Sequence, residues 1–334
     1  VNVPARAREV RLVARPGDRL GLEHFTTAEV DVPEPDEGQF LVRNDWMVLS
    51  IVMRSLMDAE VHPDLPMSGY RLNEAPWAPA IGTVVRSRAR EFAVGDVVSH
   101  TRGFREYVLG QAEDWEFSKL DTTRVPGPEY YLNQGVTAWR GMVTVADVGE
   151  GDTVFVSGAT TAVGSLAGQI ARCRGAKRVI GSTGDPAKIG YLVGELGFDA
   201  AFDYHDGPVL DRLIELAPDG LDVVFDNVAG EQFEAALQAA APNARFALCG
   251  ALSGRSPVLD LDPVVLKDLT IRGFTTPYEP ADVAEWTEHY TRWLAEGRFV
   301  FPHTVVEGGA GAVPQAMLDV VAGRFRGTVL VRLS

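Results

Sequence analysis

The chain has 334 residues, 46% of them apolar and 23% charged, enough for about two domains with ordinary hydrophobic cores, which excludes a disordered, collagen-like or fibrous chain. Thirty-one Lys and Arg stand against 46 Asp and Glu, a formal charge of −15, and with no basic cluster that field disfavours nucleic acid and anionic lipid as partners. No apolar run reaches the roughly 18 residues of a membrane span and no basic-then-apolar leader is visible, so the expectation is a cytoplasmic protein, although a chain that begins at Val1 would not show a leader already removed.

From about residue 8 to 120 the chain alternates in short segments broken by Pro, Gly and Asp: Glu9 to Ala14, Gln39 to Asn44, Ile81 to Ser87, Asp96 to His100 and Phe104 to Leu109. That rhythm predicts a β-rich unit. Near residue 130 it changes. Thr153 to Ser157, Arg178 to Ser182, Ala200 to Asp203, Asp222 to Asp226, Arg245 to Cys249 and Leu269 to Gly273 are apolar runs of strand length, separated for the most part by segments of helical period. Repeated βαβ units predict an α/β, doubly wound parallel sheet with helices on both faces. The last segment, Val300 to Ser334, reads as a helix near Ala312 to Ala322 and a strand Thr328 to Leu333 that returns to the first domain. The expected division is therefore 1–125, 126–299 and 300–334.

Cys173 and Cys249 form neither a disulfide framework nor a Cys-x-x-Cys metal pair. HExxH, GxSxG and the Walker lysine motif are absent. The informative motif follows the first parallel strand: Gly158-Ala159-Thr160-Thr161-Ala162-Val163-Gly164, then a helix from Ser165 to about Arg174. A strand, a turn of small residues and a helix N-terminus bring amides and a positive dipole end onto a diphosphate. Thr161 stands where the dinucleotide fingerprint usually has its second glycine; it either donates its hydroxyl to phosphate, as Thr160 can, or marks a plain tight turn.

The second strand ends Gly181-Ser182-Thr183-Gly184 with no carboxylate before Asp185, and Lys188 follows. An acidic side chain there would select NAD, whereas a lysine on a 2′-phosphate favours NADP; the alternative for Lys188 is a solvated helix charge. Asp226-Asn227-Val228 closes the fourth strand, where Asn227 either bonds ribose or nicotinamide or simply forms a turn.

These residues, with Leu41-Val42-Arg43-Asn44, Met53-Arg54, Val94-Gly95-Asp96-Val97-Val98, Gly103-Phe104-Arg105-Glu106-Tyr107, Gly135-Val136-Thr137-Ala138, Glu195-Leu196-Gly197-Phe198-Asp199 and Leu248-Cys249-Gly250, resemble the medium-chain dehydrogenase/reductase superfamily over nearly the whole chain. Within it they are similar to the zinc-independent alkenal and enone reductases, the leukotriene B4 12-hydroxydehydrogenase/prostaglandin reductase group. The resemblance implies a GroES-like first domain, a Rossmann domain, and NADPH in the cleft between them. It implies that Thr137, Ala159, Thr160, Thr161, Ala162, Val163, Gly164, Ser182, Thr183, Lys188, Tyr204, Asn227, Cys249, Gly250 and Phe274 bind the cofactor, with Lys188 and Tyr204 at the adenosine phosphate end. No metal is expected, because the zinc-dependent branch uses Cys and His ligands and both cysteines here lie in the nucleotide domain. The implied substrate is a small conjugated carbonyl compound, reduced by hydride addition at its β-carbon. Homodimers of the group form along an edge strand, here Leu269 to Phe274.

The departures fall on the substrate side. The group's Asp-Pro-Tyr before Met-Arg is Ser50-Ile51-Val52, and the tyrosine after its Cys-Gly motif aligns with Arg255. Arg255 either stabilises an enolate or binds an anionic substrate, or serves as a loop ion-pair residue. With a familiar proton donor gone, an unquenched carbanion could attack a second acceptor in the same molecule, a reductive cyclisation; a quinone reductase and a non-catalytic NADPH-binding homologue are the further alternatives. Tyr70 and Tyr278 are the phenols considered as replacement donors. Tyr70, His62 and Trp77 are polar candidates of the Pro-rich stretch Val61 to Trp77, where Tyr70 and His62 either border the entrance or are surface or packing residues, and Trp46, Phe92 and Trp286 are expected to pack cores or interfaces.

Overall fold

The computed structural model describes residues 2–275 and 279–334. The chain divides into two compact units, Val1–Leu132 with His303–Ser334, and Asn133–Pro302.

In the first unit β1 (Arg6–Leu12) and β2 (Phe25–Asp31) form an antiparallel ribbon. The long strand β3 (Gln39–Leu49) follows, then a single helical turn, α1 (Val52–Ser55), and strands β4 (Ala80–Ser87), β5 (Val97–His100), β6 (Tyr107–Gln111) and β7 (Ser118–Lys119). β3 is buried along nearly its whole length because it has partners on both edges: β4 on one, β6 against Gln39–Arg43 on the other. Val10, Leu12, Met47, Leu49, Met53, Leu56 and Phe104 fill one core. Phe40 stacks on Phe92 at 4.1 Å in a second.

A buried polar pair fixes the loop after β5. Asn44 donates through Nδ2 to the carbonyls of Arg102 and Arg105 at 3.1 and 2.8 Å, and its Oδ1 lies 2.9 Å from His100 Nε2. His100 Nδ1 accepts from the Arg102 amide at 3.0 Å, so the ring proton sits on Nε2. Burial, reinforced by the nearby guanidinium groups of Arg102 and Arg105, lowers the His100 pKa to about 3.

The second unit opens with α2 (Gly135–Trp139), which widens into a π-helical turn over Arg140–Val145. The parallel sheet alternates strand and helix: β8 (Thr153–Val156), α3 (Gly164–Cys173), β9 (Arg178–Thr183), α4 (Ile189–Gly194), β10 (Ala200–Asp203), α5 (Val209–Leu216), β11 (Leu221–Asp226), α6 (Gly230–Ala239), β12 (Ala240–Leu248), α7 (Leu261–Leu266) and β13 (Thr270–Gly273). The sheet order is β10-β9-β8-β11-β12-β13. The winding direction therefore reverses between β8 and β11, the place where open parallel sheets collect ligands. α8 (Pro280–Ala295) packs Trp286, Tyr290 and Trp293 around Trp139 and Phe299.

The chain ends with β14 (His303–Val306), α9 (Val313–Val321) and β15 (Thr328–Arg332). β15 pairs antiparallel with Trp46–Leu49 of β3, completing the seven-stranded sheet of the first unit. Trp46, Phe92 and Trp286 are all buried. No helix among the described residues is long and apolar enough to cross a membrane. A β-rich unit with a doubly wound parallel-sheet unit is the architecture that the two rhythms of apolar runs predict.

Candidate functional site

At the reversal point the chain leaves β8 through Ser157 and turns at Gly158, whose φ of 59° is in the left-handed region. Five amides of the turn are consumed internally: Gly158 on Ser182 Oγ, Ala159 on the Ser182 carbonyl, Thr161 on the Gly158 carbonyl, Gly164 on Thr161 Oγ1 and Ser165 on the Thr161 carbonyl. Those of Thr160, Ala162 and Val163 meet no acceptor among the described residues. Three unpaired donors at the mouth of a ten-residue helix make an anion cradle. Gly164 permits it: a Cβ there would stand 2.5 Å from the Gly158 carbonyl oxygen. Thr161, at the place of the usual second glycine, accepts from the Gly164 amide at 3.1 Å and so caps α3.

Beyond β9, Thr160 Oγ1 and Thr183 Oγ1 face each other at 3.5 Å. Asp185 does not reach outward as a ribose acceptor; its Oδ1 accepts from the Ala187 amide at 3.0 Å and caps the short turn Pro186–Lys188. Lys188 ends that turn. Tyr204 follows β10, its amide on the Thr183 carbonyl at 3.1 Å and its ring 4.0 Å from that of His205. Pro186 and Ile189 also wall a groove of about 380 Å³ with Phe202, Asp203 and Arg212.

The loops after β11 and β12 are laced together. Asp226, Asn227 and Val228 carbonyls accept from Cys249 and Gly250, Leu252, and Ser253. The buried Asp226 carboxylate accepts from Ser157 Oγ at 2.5 Å and from the amides of Val228 and Ala229 at 3.0 Å. These bonds hold Ala229 at φ 62°, ψ −156°, a conformation nearly restricted to glycine. Asn227 donates through Nδ2 to the Ser157 carbonyl at 2.8 Å. Burial, and then Asp226, push the Cys249 thiol up to about 12. The Phe274 amide bonds the Leu248 carbonyl, and its ring meets Phe225 edge-on at 6.1 Å. Thr137 lies on α2, half-buried. The turn, the β9 end and the β11 and β12 loops thus share one sheet edge. Ser157 and Gln232, which tie them together, escape sequence reading; the only signal is a polar residue within the inward-facing stripe of α6.

Of the three residues considered for the carbonyl end, Tyr70 belongs to the first unit and Arg255 to the second. Tyr70 is buried in the first unit's core, edge-on to Trp77 at 5.6 Å and Phe104 at 6.4 Å; among the described residues its hydroxyl has no hydrogen-bond partner, and burial raises its pKa strongly. Arg255 is exposed on the loop after β12, its amide on Ser253 Oγ at 3.2 Å, and its guanidinium makes no ion pair among the described residues. Tyr278 lies outside the described residues. His62 is exposed, and Trp77 Nε1 donates to the Ser68 carbonyl at 3.0 Å.

Among the described residues no three His, Cys, Asp or Glu side chains converge, and desolvation raises the Cys173 thiol to about 11, as it does Cys249, away from the thiolate that binds metal.

A zinc-binding dehydrogenase family model matches residues 162–296, and one for the N-terminal domain of oxidoreductases matches residues 8–117. Over 99% of its length the chain is 32% identical to 98% of YfmJ of Bacillus subtilis, a protein named for NADP-dependent oxidoreduction. It is 28% identical to the NADPH-dependent curcumin reductase of Escherichia coli, covering 98% of this chain and 97% of the relative. The crystal structure of CurA from Vibrio vulnificus in complex with NADPH superposes with a TM-score of 0.88 at 27% identity, covering 98% of this chain and 99% of CurA.

Proposed function

Since the chain belongs to the medium-chain dehydrogenase/reductase superfamily, in its enone and alkenal reductase branch, and is an NADP-dependent oxidoreductase, we propose that it reduces the double bond of a small α,β-unsaturated carbonyl compound without zinc. The observation that carries this reading is the anion cradle of Thr160, Ala162 and Val163 amides, beside a β9 end whose nearest carboxylate, Asp185, is spent on capping the turn that carries Lys188.

When bound, NADPH supplies a hydride to the β-carbon of the acceptor, whose carbonyl oxygen takes the electron pair before the α-carbon is protonated. The turn 158–164 holds the diphosphate on backbone donors, with the hydroxyls of Thr160, Thr161 and Thr183 beside it. Lys188 and Tyr204 meet the 2′-phosphate, a charge-assisted contact that favours NADPH over NADH. Asn227, Cys249, Gly250, Phe274 and Thr137 line the nicotinamide half. Tyr70 and Arg255 are the groups proposed for the carbonyl oxygen. Tyr278 is the other phenol proposed as a donor and the first to be tested by substitution.

Titration with NADPH and NADH, followed by an enone panel analysed by product mass and ring count, tests the reading. A product two hydrogens heavier with its double bond gone supports it; NADPH binding with no turnover on any acceptor overturns it in favour of a binding protein, and turnover confined to quinones in favour of a quinone reductase. The absence of a hydroxyl at Val52 and the unpaired guanidinium of Arg255 favour a second reading, reductive cyclisation, which an isomeric product with one more ring would establish. We also propose a homodimer. β13 is an edge strand, and the neighbouring Leu261, Val265 and Leu266 are 60, 69 and 80% exposed, an apolar patch suited to a second copy.

A further inference from the structure

Gln232 is a polar residue in the wrong surroundings. It lies in the first turn of α6, 3% exposed, beside Phe233, Ala235 and Ala236 of the apolar core. Its Oε1 accepts from Ser182 Oγ at 2.5 Å, while its Nε2 is buried without a hydrogen-bond partner among the described residues. A half-satisfied buried amide is costly and needs a reason to be there.

The reason lies one bond further on. Ser182 Oγ is also the acceptor for the Gly158 amide, at 3.1 Å. A hydroxyl has a single proton; once it is committed to Gln232, a lone pair is left facing Gly158. Gly158 is where the phosphate turn begins. Its carbonyl takes the Thr161 amide and is the atom against which Gly164 must pack without a Cβ. Ser182 thus grips both peptide units that meet at Gly158, the first through its hydroxyl on the Gly158 amide and the second through its carbonyl on the Ala159 amide, and the turn that carries the amides of Thr160, Ala162 and Val163 starts from this anchored residue. We infer that Gln232 is a positioning residue for the coenzyme: by orienting the Ser182 hydroxyl it fixes the Gly158 amide at the start of the turn and so pre-orients the diphosphate cradle, 74 residues upstream of it in the chain (232 − 158).

This rests on the NADPH reading above and deepens it. The test is a set of variants in the full chain, Gln232→Leu, Gln232→Met, Ser182→Ala and the Ser182→Ala/Gln232→Leu pair, compared for NADPH affinity, KM for each substrate, kcat and Tm. Replacing a half-bonded amide in an apolar core by an apolar side chain of similar volume leaves folding stability level or raises it. The same change should weaken NADPH binding about three- to tenfold, the worth of one lost orienting hydrogen bond, with kcat and the KM of the enone little changed. Because both residues act on one peptide, the double variant should lose no more than the worse single one.

Stability and coenzyme affinity moving in opposite directions is the signature; a purely structural role would move them together. Unchanged NADPH affinity in Gln232→Leu and Gln232→Met, or losses that add in the double variant, would overturn the inference. Ser182→Ala carries the test should both Gln232 variants fail to fold, since unchanged affinity there overturns it equally. A wild-type protein that takes up no NADPH would instead remove the coenzyme reading itself.

Discussion

Ala229 occupies backbone space that a Cβ makes expensive, at about 1–3 kcal/mol, and it is held there by the Asp226 carboxylate. Ala229→Gly removes that strain and returns about 0.5–1 kcal/mol of chain entropy to the unfolded state. The expected outcome is a protein stabilised by about 1 kcal/mol, seen as a higher urea midpoint; a lower midpoint would show that the methyl group contributes packing that outweighs the strain. His100 gives the second residue-scale prediction. In the unfolded chain its imidazole takes a proton near pH 6.5, in the fold only near 3. Above about pH 6.5 the two states hold equal protons at this group. As pH falls from there toward 3 the unfolded chain gains the proton first, and stability is lost by up to about 1.4 kcal/mol per pH unit. Urea midpoints at pH 7 and pH 5 should therefore fall further in the wild type than in His100→Gln. Equal falls would mean that the ring titrates in the fold.

Elements whose stability is local could be read from the chain; those completed elsewhere could not. The parallel strands show as apolar runs because β8 and β11 are buried on both faces, and the turn 158–164 shows as a motif because its parts are contiguous. β2 is mostly exposed on its outer face and its alternation is correspondingly faint. β3 outruns the stretch Gln39–Asn44 because its second half pairs with β15, which lies at the other end of the sequence. The Ser157–Asp226 and Ser182–Gln232 bonds span 69 and 50 residues, so no spacing rule could find them. The edge formed by β13 and α7 carries a prediction of its own. Val265→Lys with Leu266→Lys places two charges on the exposed apolar row, and light scattering should shift from a dimer to a single chain with little change in Tm. A wild type that already scatters as one chain would remove the dimer.

For the molecule as a whole, the reading without zinc predicts that prolonged treatment with a strong chelator leaves NADPH oxidation unchanged, and that elemental measurement finds less than one zinc per chain; activity lost to the chelator and restored by zinc would contradict this. The division of the chain has a different consequence. The unit that begins the sequence is closed by residues that end it, with β15 adding Val329, Leu330 and Val331 beside Leu49, Val48 and Met47. During synthesis the parallel-sheet unit, whose residues are continuous, is ready to collapse while its predecessor still waits on the ribosome with a long apolar strand half unmatched. The first unit can therefore be completed only after the second has been made, and until then one edge of β3 has no partner from β15.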